Sequence, residues 1–318
     1  MLRGIRRMAA RGRIGVVPVL WACAPAGTPD PGGGPLPDRA TGLSLPWTEA
    51  SCGRADPVAD TDADGLDDRC ELGLARAFAP LLVVRPGGCG WDTSVSPARP
   101  GGEYYFAVER GGEAGRIRIA YLPAYYRDCG WDGLKFLLPF VDCAPHVGDS
   151  EAIVVEIGHD GRSGRWRTEA VFLSAHCFGR SGGDCRWYRG DALARFEWAD
   201  GRDRGAPRVW VAEGRNANYP SRDACDRGHY RLDTCDRHGT ELRFPVVTMR
   251  QNLGSRARPA GGPGGCVHGG FAGWASALPR AGRIECFWRD DAPFFGWQSP
   301  DGGGATPYAR YLLEVAGF

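Results

Sequence analysis

The chain has 318 residues, which is enough for one large or two smaller domains at a typical ~150 residues per domain. Its 39 Lys and Arg nearly balance its 38 Asp and Glu, and the net charge of +1 argues against a broad affinity for nucleic acid. With 43% hydrophobic residues the chain can build a sizeable core, and its 48 Gly and 24 Pro favour many turns and little helix.

Residues 1–22 have the pattern of an export signal. Five arginines between positions 3 and 13 precede an apolar run, 14–22, which is far shorter than the ~20 residues of a membrane span. The run ends in LWAC, which resembles a bacterial lipobox and makes Cys23 the candidate lipidated residue of a membrane-anchored lipoprotein. Ordinary secretion and a cytosolic chain with a wrongly assigned start are the alternatives. Residues 23–50, rich in Pro, Gly and Asp, predict a flexible tether.

Twelve cysteines are many for a cytosolic protein, and they lack the C-x-x-C pairs of a zinc site. Together these facts favour an oxidising compartment. Sequence does not fix their connectivity, but close neighbours suggest five disulfides: Cys52–Cys70, Cys129–Cys143, Cys177–Cys185, Cys225–Cys235 and Cys266–Cys286. Cys89 is then left unpaired when Cys23 is set aside. The alternative is a set of reduced, buried thiols.

Residues 60–71, DTDADGLDDRCE, match the spacing D-x-D-x-D-G-x-x-D-x-x-E of a Ca²⁺-binding loop. The predicted ligands are the carbonyl of Leu66 and the side chains of Asp60, Asp62, Asp64, Asp68 and Glu71. A helix is expected at 72–79, so that 51–79 forms a calcium-binding loop and helix with a structural role. The alternative is a solvated acidic turn, but so many carboxylates repel one another without a cation.

From Phe78 onward the pattern changes to short strands separated by turns that contain Gly, Asp and Pro. Runs rich in β-branched and aromatic residues lie at 103–109, 116–122, 151–157, 166–175 and 208–213. No alternation of helix and strand appears. Residues 80–318 are therefore predicted to be all-β, an antiparallel β-sandwich with long disulfide-stapled loops. The stretch 306–318 is expected to be a last strand or a short helix.

A second candidate site lies in HVGDSE, residues 146–151. If this stretch runs into the strand at 153–157, Asp149 and Glu151 share the buried face of that strand, next to His146. Asp128 ends an aromatic strand upstream, and His176 is a possible additional ligand. These residues suit a divalent cation, either Mg²⁺, Mn²⁺ or Ca²⁺. The alternatives are acids that pair with arginines at a strand end, and a plain exposed rim.

These motifs carry a family resemblance. The chain resembles bacterial members of the vacuolar protein sorting sixty-two family in the order of five stretches: the loop, helix and FAP at 60–80, Y…YY-R-D at 121–128, H-x-G-D-x-E at 146–151, VWVAEGRNANYPS at 209–221 and ECFW…FFGW at 285–297. More distantly, H-x-x-D-x-E is similar to the heptad of necrosis- and ethylene-inducing-peptide-like cytolysins.

The cytolysin resemblance implies a β-sandwich in which the positions matching Asp128, His146, Asp149 and Glu151 hold a divalent cation next to a lipid head group. Two residues depart from these patterns. Ser150 stands where both families usually have Trp, and Asn216 stands where the first family more often has His.

Two functions are compatible with the sequence. The first is an exported, non-enzymatic protein that uses a cation to bind a glycan or lipid head group and damages membranes; Trp131, Trp274 and Trp297 suit such contacts if they are exposed. The alternative is a metal-dependent hydrolase of an extracellular substrate, in which Asp149 or Glu151 activates a metal-bound water and His176 transfers the proton. The chain has no G-x-S-x-G and no H-E-x-x-H motif, so no catalytic residue is assigned.

Overall fold

Strands dominate the part of the chain that the computed structural model describes, which comprises residues 42–53, 59–85, 104–128, 146–175, 177, 185–228, 233–236, 239–242, 252–255 and 308–318. The strands are β1 (Leu43–Ser44), β2 (Leu81–Val84), β3 (Tyr104–Arg110), β4 (Arg116–Asp128), β5 (His146–Ser150), β6 (Ile153–Asp160), β7 (Arg165–Leu173), β8 (Arg186–Arg189), β9 (Arg208–Val211), β10 (Asn218–Tyr219) and β11 (Thr240–Leu242). The α-helices are α1 (Glu49–Cys52), α2 (Asp68–Ala77), α3 (Arg222–Asp226) and α4 (Tyr308–Val315), and two 3-10 helices span Gly190–Arg195 and Ala199–Gly201. The prediction of an all-β fold is confirmed.

The strands form two sheets. The larger has seven strands in the order β1-β7-β6-β4-β3, with β5 also paired to β4 and β8 to β7. The smaller has four strands in the order β10-β9-β2-β11. Pairing between the strands is antiparallel except between β2 and β9, which run parallel. The sandwich arrangement of the sheets stays a prediction.

Successive side chains of β4 and β6 point to opposite faces of the sheet and therefore belong to two separate apolar clusters. Ile119 and Val155 pair across these strands and face the main core, which also contains residues of β2, β9 and α2. Ala120 and Val154 pair on the opposite face of the sheet, where Leu312 and Leu313, at the end of α4, cover them. The strand at 116–122 was predicted, and the stretch 306–318 contains a helix, one of its two predicted forms.

Helix α2 packs on the main core through Leu74, Ala75 and Phe78, all of which are fully buried. The buried hydroxyl of Tyr121 on β4 donates to the carbonyl of Ala75 at 2.9 Å. The predicted disulfide between Cys52 and Cys70 joins α1 to α2. These contacts fix the helix, and therefore the loop that precedes it, to the larger sheet.

The strand predicted at 151–157 differs from the structure at its start, because Glu151 and Ala152 lie between β5 and β6. Pro123, on the facing strand, has no N–H to donate, which accounts for the interrupted ladder. The register is nevertheless constant across the gap, since Ser150 pairs with Ala124 and Ile153 with Tyr121. Glu151 therefore faces the core, on the same side of the sheet as Ile153.

Candidate metal site

The loop before α2 turns sharply because of two residues in the left-handed region. Gly65 has φ of 89° and Ala63 has φ of 56°. Glycine adopts such a backbone without steric cost, whereas alanine pays about 1–2 kcal/mol for it. Two carboxylates hold this turn, since Asp60 Oδ2 accepts from the N–H of Gly65 at 3.0 Å and Asp64 Oδ1 from the N–H of Leu66 at 2.7 Å. The other oxygen of each acid, Asp60 Oδ1 and Asp64 Oδ2, takes no part in these hydrogen bonds.

Helix α2 begins earlier than predicted and carries the last ligand candidate. Its first residue is Asp68, not Leu72, because the side chain of Asp67 caps it by accepting from the N–H groups of Arg69 and Cys70. Glu71 therefore lies in the first turn of the helix, where the partial positive charge of the helix end favours a carboxylate. The helix directs this side chain into the interior, where it has no exposed surface.

The loop contains five buried carboxylate oxygens without a hydrogen-bond partner. They are Asp60 Oδ1, both oxygens of Asp62, Asp64 Oδ2 and Glu71 Oε1. Asp62 is only 3% exposed, and an unpaired buried carboxylate is costly. Two sets of these acids are close enough to share an ion, with ligand atoms within 4.8 Å of one another: Asp60, Asp62 and Asp68, and Asp62, Asp64 and Glu71. These clusters could hold a metal ion.

Burial, together with repulsion between neighbouring carboxylates, raises the pKa of three carboxyls in the loop. Burial, followed by repulsion from Asp64, Asp60 and Asp68, raises the pKa of the Asp62 carboxyl from 3.8 to about 7. Burial and the charges of Asp64 and Asp62 raise the pKa of Glu71 well above its ordinary value. Burial also raises the pKa of Asp64. A cation among these oxygens removes the repulsion that causes part of these shifts.

The other two predicted ligands have different surroundings. Asp68 is engaged by Thr61, whose N–H and hydroxyl donate to its two oxygens at 3.0 and 2.8 Å, so a water is the simplest link from Asp68 to a cation. The side chain of Leu66 is buried in the main core, and its predicted contribution is its backbone carbonyl. The five predicted side-chain ligands therefore lie together around the turn.

Three residues outside the loop hold it, and none of them was predicted from the sequence. Asn252 Nδ2 donates to Glu71 Oε2 at 3.2 Å, and Ser255 Oγ donates to the carbonyl of Asp62 at 2.7 Å. Arg110, at the end of β3, donates to the carbonyl of Gly65 at 2.6 Å. Asn252 lies 181 residues after Glu71 and Ser255 lies 193 residues after Asp62, and no local motif marks them.

The second predicted site is described only in part. The β4–β5 register places Asp128 directly opposite His146, and Asp149 opposite Tyr125. Residues directly opposite in an antiparallel pair occupy the same face of the sheet. The backbone therefore places Asp128 next to His146. Asp149, three positions after His146 in β5, belongs to the opposite face of the sheet, so the register brings together only the first two of these residues. The side chains of these residues lie outside the described part of the structure, as do His176 and Cys23.

Glu151 is described in full and is only 5% exposed. Ser174, at the end of β7, donates its hydroxyl to Glu151 Oε2 and accepts from the N–H of Ala152 at 2.8 Å. The N–H of Ser174 in turn donates to the carbonyl of Ala152 at 3.0 Å. Ser174 thus links Glu151 and Ala152, which lie between β5 and β6, to the end of β7, and it fixes the Glu151 carboxylate. No motif in the sequence marks Ser174 as a partner of Glu151.

Three of the predicted disulfides fall on described residues, and all three form: Cys52–Cys70, Cys177–Cys185 and Cys225–Cys235. Residues of the other two pairs, and Cys89, lie outside the described part. Disulfides indicate an oxidising environment such as the cell exterior. Among the described residues, no helix is both long and apolar enough to cross a membrane.

Comparisons of the chain with protein-family models, with curated proteins and with solved structures found no match. The family resemblance of the sequence motifs stays a prediction.

Proposed function

We propose that this is an exported, non-enzymatic β-protein whose 60–71 loop binds one Ca²⁺ ion that stabilises the fold. The observation that carries the proposal is the group of five buried carboxylate oxygens without partners around Asp62. All are hard oxygen donors, which Ca²⁺ prefers, and the loop can add the Leu66 carbonyl and a water on Asp68. The acids lie at the spacing typical of a calcium loop.

A structural role fits the position of the loop better than a sensing role. The loop is joined to the N-terminal segment through Cys52–Cys70 and to the larger sheet through Arg110 on β3. A cation there stabilises contacts between segments that are far apart in sequence. Binding stabilises the folded state by RT ln(1 + [L]/Kd), which is about 2.7 kcal/mol at a free Ca²⁺ concentration of 100 times Kd.

Calorimetry with and without Ca²⁺ tests this proposal. The wild-type melting temperature should rise with Ca²⁺, and an Asp62→Ala, Asp64→Ala double variant should show a much smaller rise. Asp191→Ala is a suitable control, because Asp191 is exposed and lies in a different part of the chain. Equal melting shifts for wild type and the double variant would contradict a cation at this loop.

The second predicted site is proposed to bind a glycan or lipid head group. A second cation held by Asp128, His146, Asp149 and Glu151 would present a positive charge to a glycan or lipid head group, as the cytolysin resemblance implies. The pairing of Asp128 with His146 supports a cation between these two residues, and Asp149 and Glu151 would have to reach it from the opposite face at the end of β5. A glycan and lipid array in the presence and absence of EDTA tests it. Binding that EDTA leaves intact would contradict a cation-dependent partner.

Export is proposed from residues 1–22 together with the disulfides. Signal-peptide cleavage before Cys23 and lipidation of its thiol would place the protein on the bacterial envelope. The intact mass of protein purified from its native host tests both steps. An unprocessed N-terminus on mature protein would contradict export, and a cleaved chain without the lipid mass would favour secretion.

A further inference from the structure

Asn252 makes an unusual contact for a residue 181 positions away from the loop it touches. Its side-chain amide donates to Glu71 Oε2, one of the two oxygens of the last predicted ligand. The other oxygen, Oε1, is buried and has no hydrogen-bond partner. The two oxygens of this carboxylate therefore differ, because Oε2 accepts from Asn252 while Oε1 faces the other loop acids.

The position of Asn252 is fixed by its own neighbours. It forms a parallel bridge with Phe106 on β3, and the N–H of Leu253 donates to the carbonyl of Phe106 at 2.7 Å. Its own Oδ1 accepts from the N–H of Gly254 at 2.9 Å, which orients the amide so that Nδ2 faces Glu71. Asn252 is only 3% exposed, so water competes little for this donor.

We infer that Asn252 is a positioning residue that restricts Glu71 to one oxygen at the cation and thereby lowers the preference of the loop for Ca²⁺ over Mg²⁺. The inference rests on the proposed cation site. One oxygen each from Asp60, Asp62, Asp64 and Glu71, with the Leu66 carbonyl and one water, makes six ligands. Mg²⁺ requires a near-octahedral set of about six oxygens, whereas Ca²⁺ accepts up to about eight and uses a bidentate carboxylate well.

Two substitutions remove the donor with different side effects. Asn252→Leu loses both amide contacts and adds no charge. Asn252→Asp keeps an acceptor for the N–H of Gly254 but adds a negative charge, which strengthens the binding of any divalent cation. In both variants Glu71 Oε2 loses its donor and can reach the cation. The measured quantity is the ratio of the Ca²⁺ and Mg²⁺ dissociation constants, obtained by titration calorimetry on the full chain.

We expect the preference for Ca²⁺ over Mg²⁺ to rise about tenfold in both variants, the factor that ~1.4 kcal/mol represents. Ser255→Ala is the matched control, because it removes a contact from the same segment to the Asp62 carbonyl but leaves the carboxylates untouched. Its ratio should equal that of wild type. If both affinities change by one common factor in the Asn252 variants, Asn252 only supports the loop and the inference is wrong.

A crystal of wild-type protein grown with Ca²⁺ gives a test that does not depend on how the variants fold. Only Oε1 of Glu71 should lie at the ~2.3–2.6 Å of a Ca²⁺ ligand, with Oε2 still bonded to Asn252. Both oxygens within that distance would overturn the inference while leaving the cation site intact. Absence of any ion from the loop at saturating Ca²⁺ would instead overturn the proposed function.

Discussion

Replacing Asp62 by asparagine should stabilise the protein without Ca²⁺ and destabilise it, relative to wild type, with Ca²⁺. Both oxygens of Asp62 are buried without partners, so the ionised side chain is repelled by its neighbours when no cation is present. Asparagine has nearly the same shape and no charge. The same change removes a ligand that the bound ion requires.

The size of the effect follows from the pKa of Asp62, which rises from 3.8 to about 7 in the folded protein. At ~1.36 kcal/mol per pKa unit, this difference corresponds to at most about 4 kcal/mol. Relaxation of the loop around the charged side chain reduces the expected gain to about 1–3 kcal/mol. Because the folded state binds the proton more tightly, the stability of the cation-free wild type falls as pH rises from about 4 to 7.

Urea unfolding in EGTA and in Ca²⁺, at pH 5 and pH 8, measures these effects. In EGTA at pH 8, Asp62→Asn should unfold at a higher urea concentration than wild type, and at pH 5 the difference should shrink. In Ca²⁺ at pH 8 the order should reverse. An Asp62→Asn variant that is less stable than wild type in EGTA at pH 8 would show that the loop acids are already neutralised by other protein groups.

Three further outcomes are expected. Leu74→Ala should lower the free energy of unfolding by about 2–5 kcal/mol in a urea titration, because the side chain is fully buried on α2, whereas the exposed Arg76→Ala should change it by only about 0.5 kcal/mol. Replacing Cys225 and Cys235 together by alanine should cost about 2–3 kcal/mol, the loop-closure entropy of a ten-residue separation, and an unchanged melting temperature would refute this. A crystal grown with Mn²⁺ should show anomalous density at the second predicted site next to Glu151, and an arginine side chain in that position would mean an ion pair instead.

The 60–71 loop and the strands were predicted from short stretches of sequence, because residues close together in the chain determine them. The acids of the 60–71 loop lie around one turn, because their alternate spacing and Gly65 determine that turn within a few residues. The strands around Ile119 and Val155 were visible as runs of β-branched residues. The start of α2 was missed because the cap, Asp67, is itself an acid and lies among acids that were predicted to be ligands.

Contacts between distant segments could not be predicted. Nothing near Asn252 or Ser255 marks them as neighbours of the loop, because the bridge to Phe106 that places them depends on how β3 is paired. The break at Glu151 follows from Pro123, which faces it only when the register of β4 is known. Sequence alone also offers no means of recognising Ser174 as the partner of Glu151.

The 181-residue separation between Glu71 and Asn252 has a consequence for the growing polypeptide. Synthesis proceeds from the N-terminus at ~5–20 residues per second, so the loop is complete roughly 10–35 seconds before Asn252 is made. Closing so short a loop takes well under a microsecond, and an early cation would meet Glu71 with both oxygens free. The nascent chain should therefore favour Ca²⁺ over Mg²⁺ more strongly than the finished protein, and an ion bound at that stage would lose one Glu71 oxygen when Asn252 pairs with Phe106 on β3.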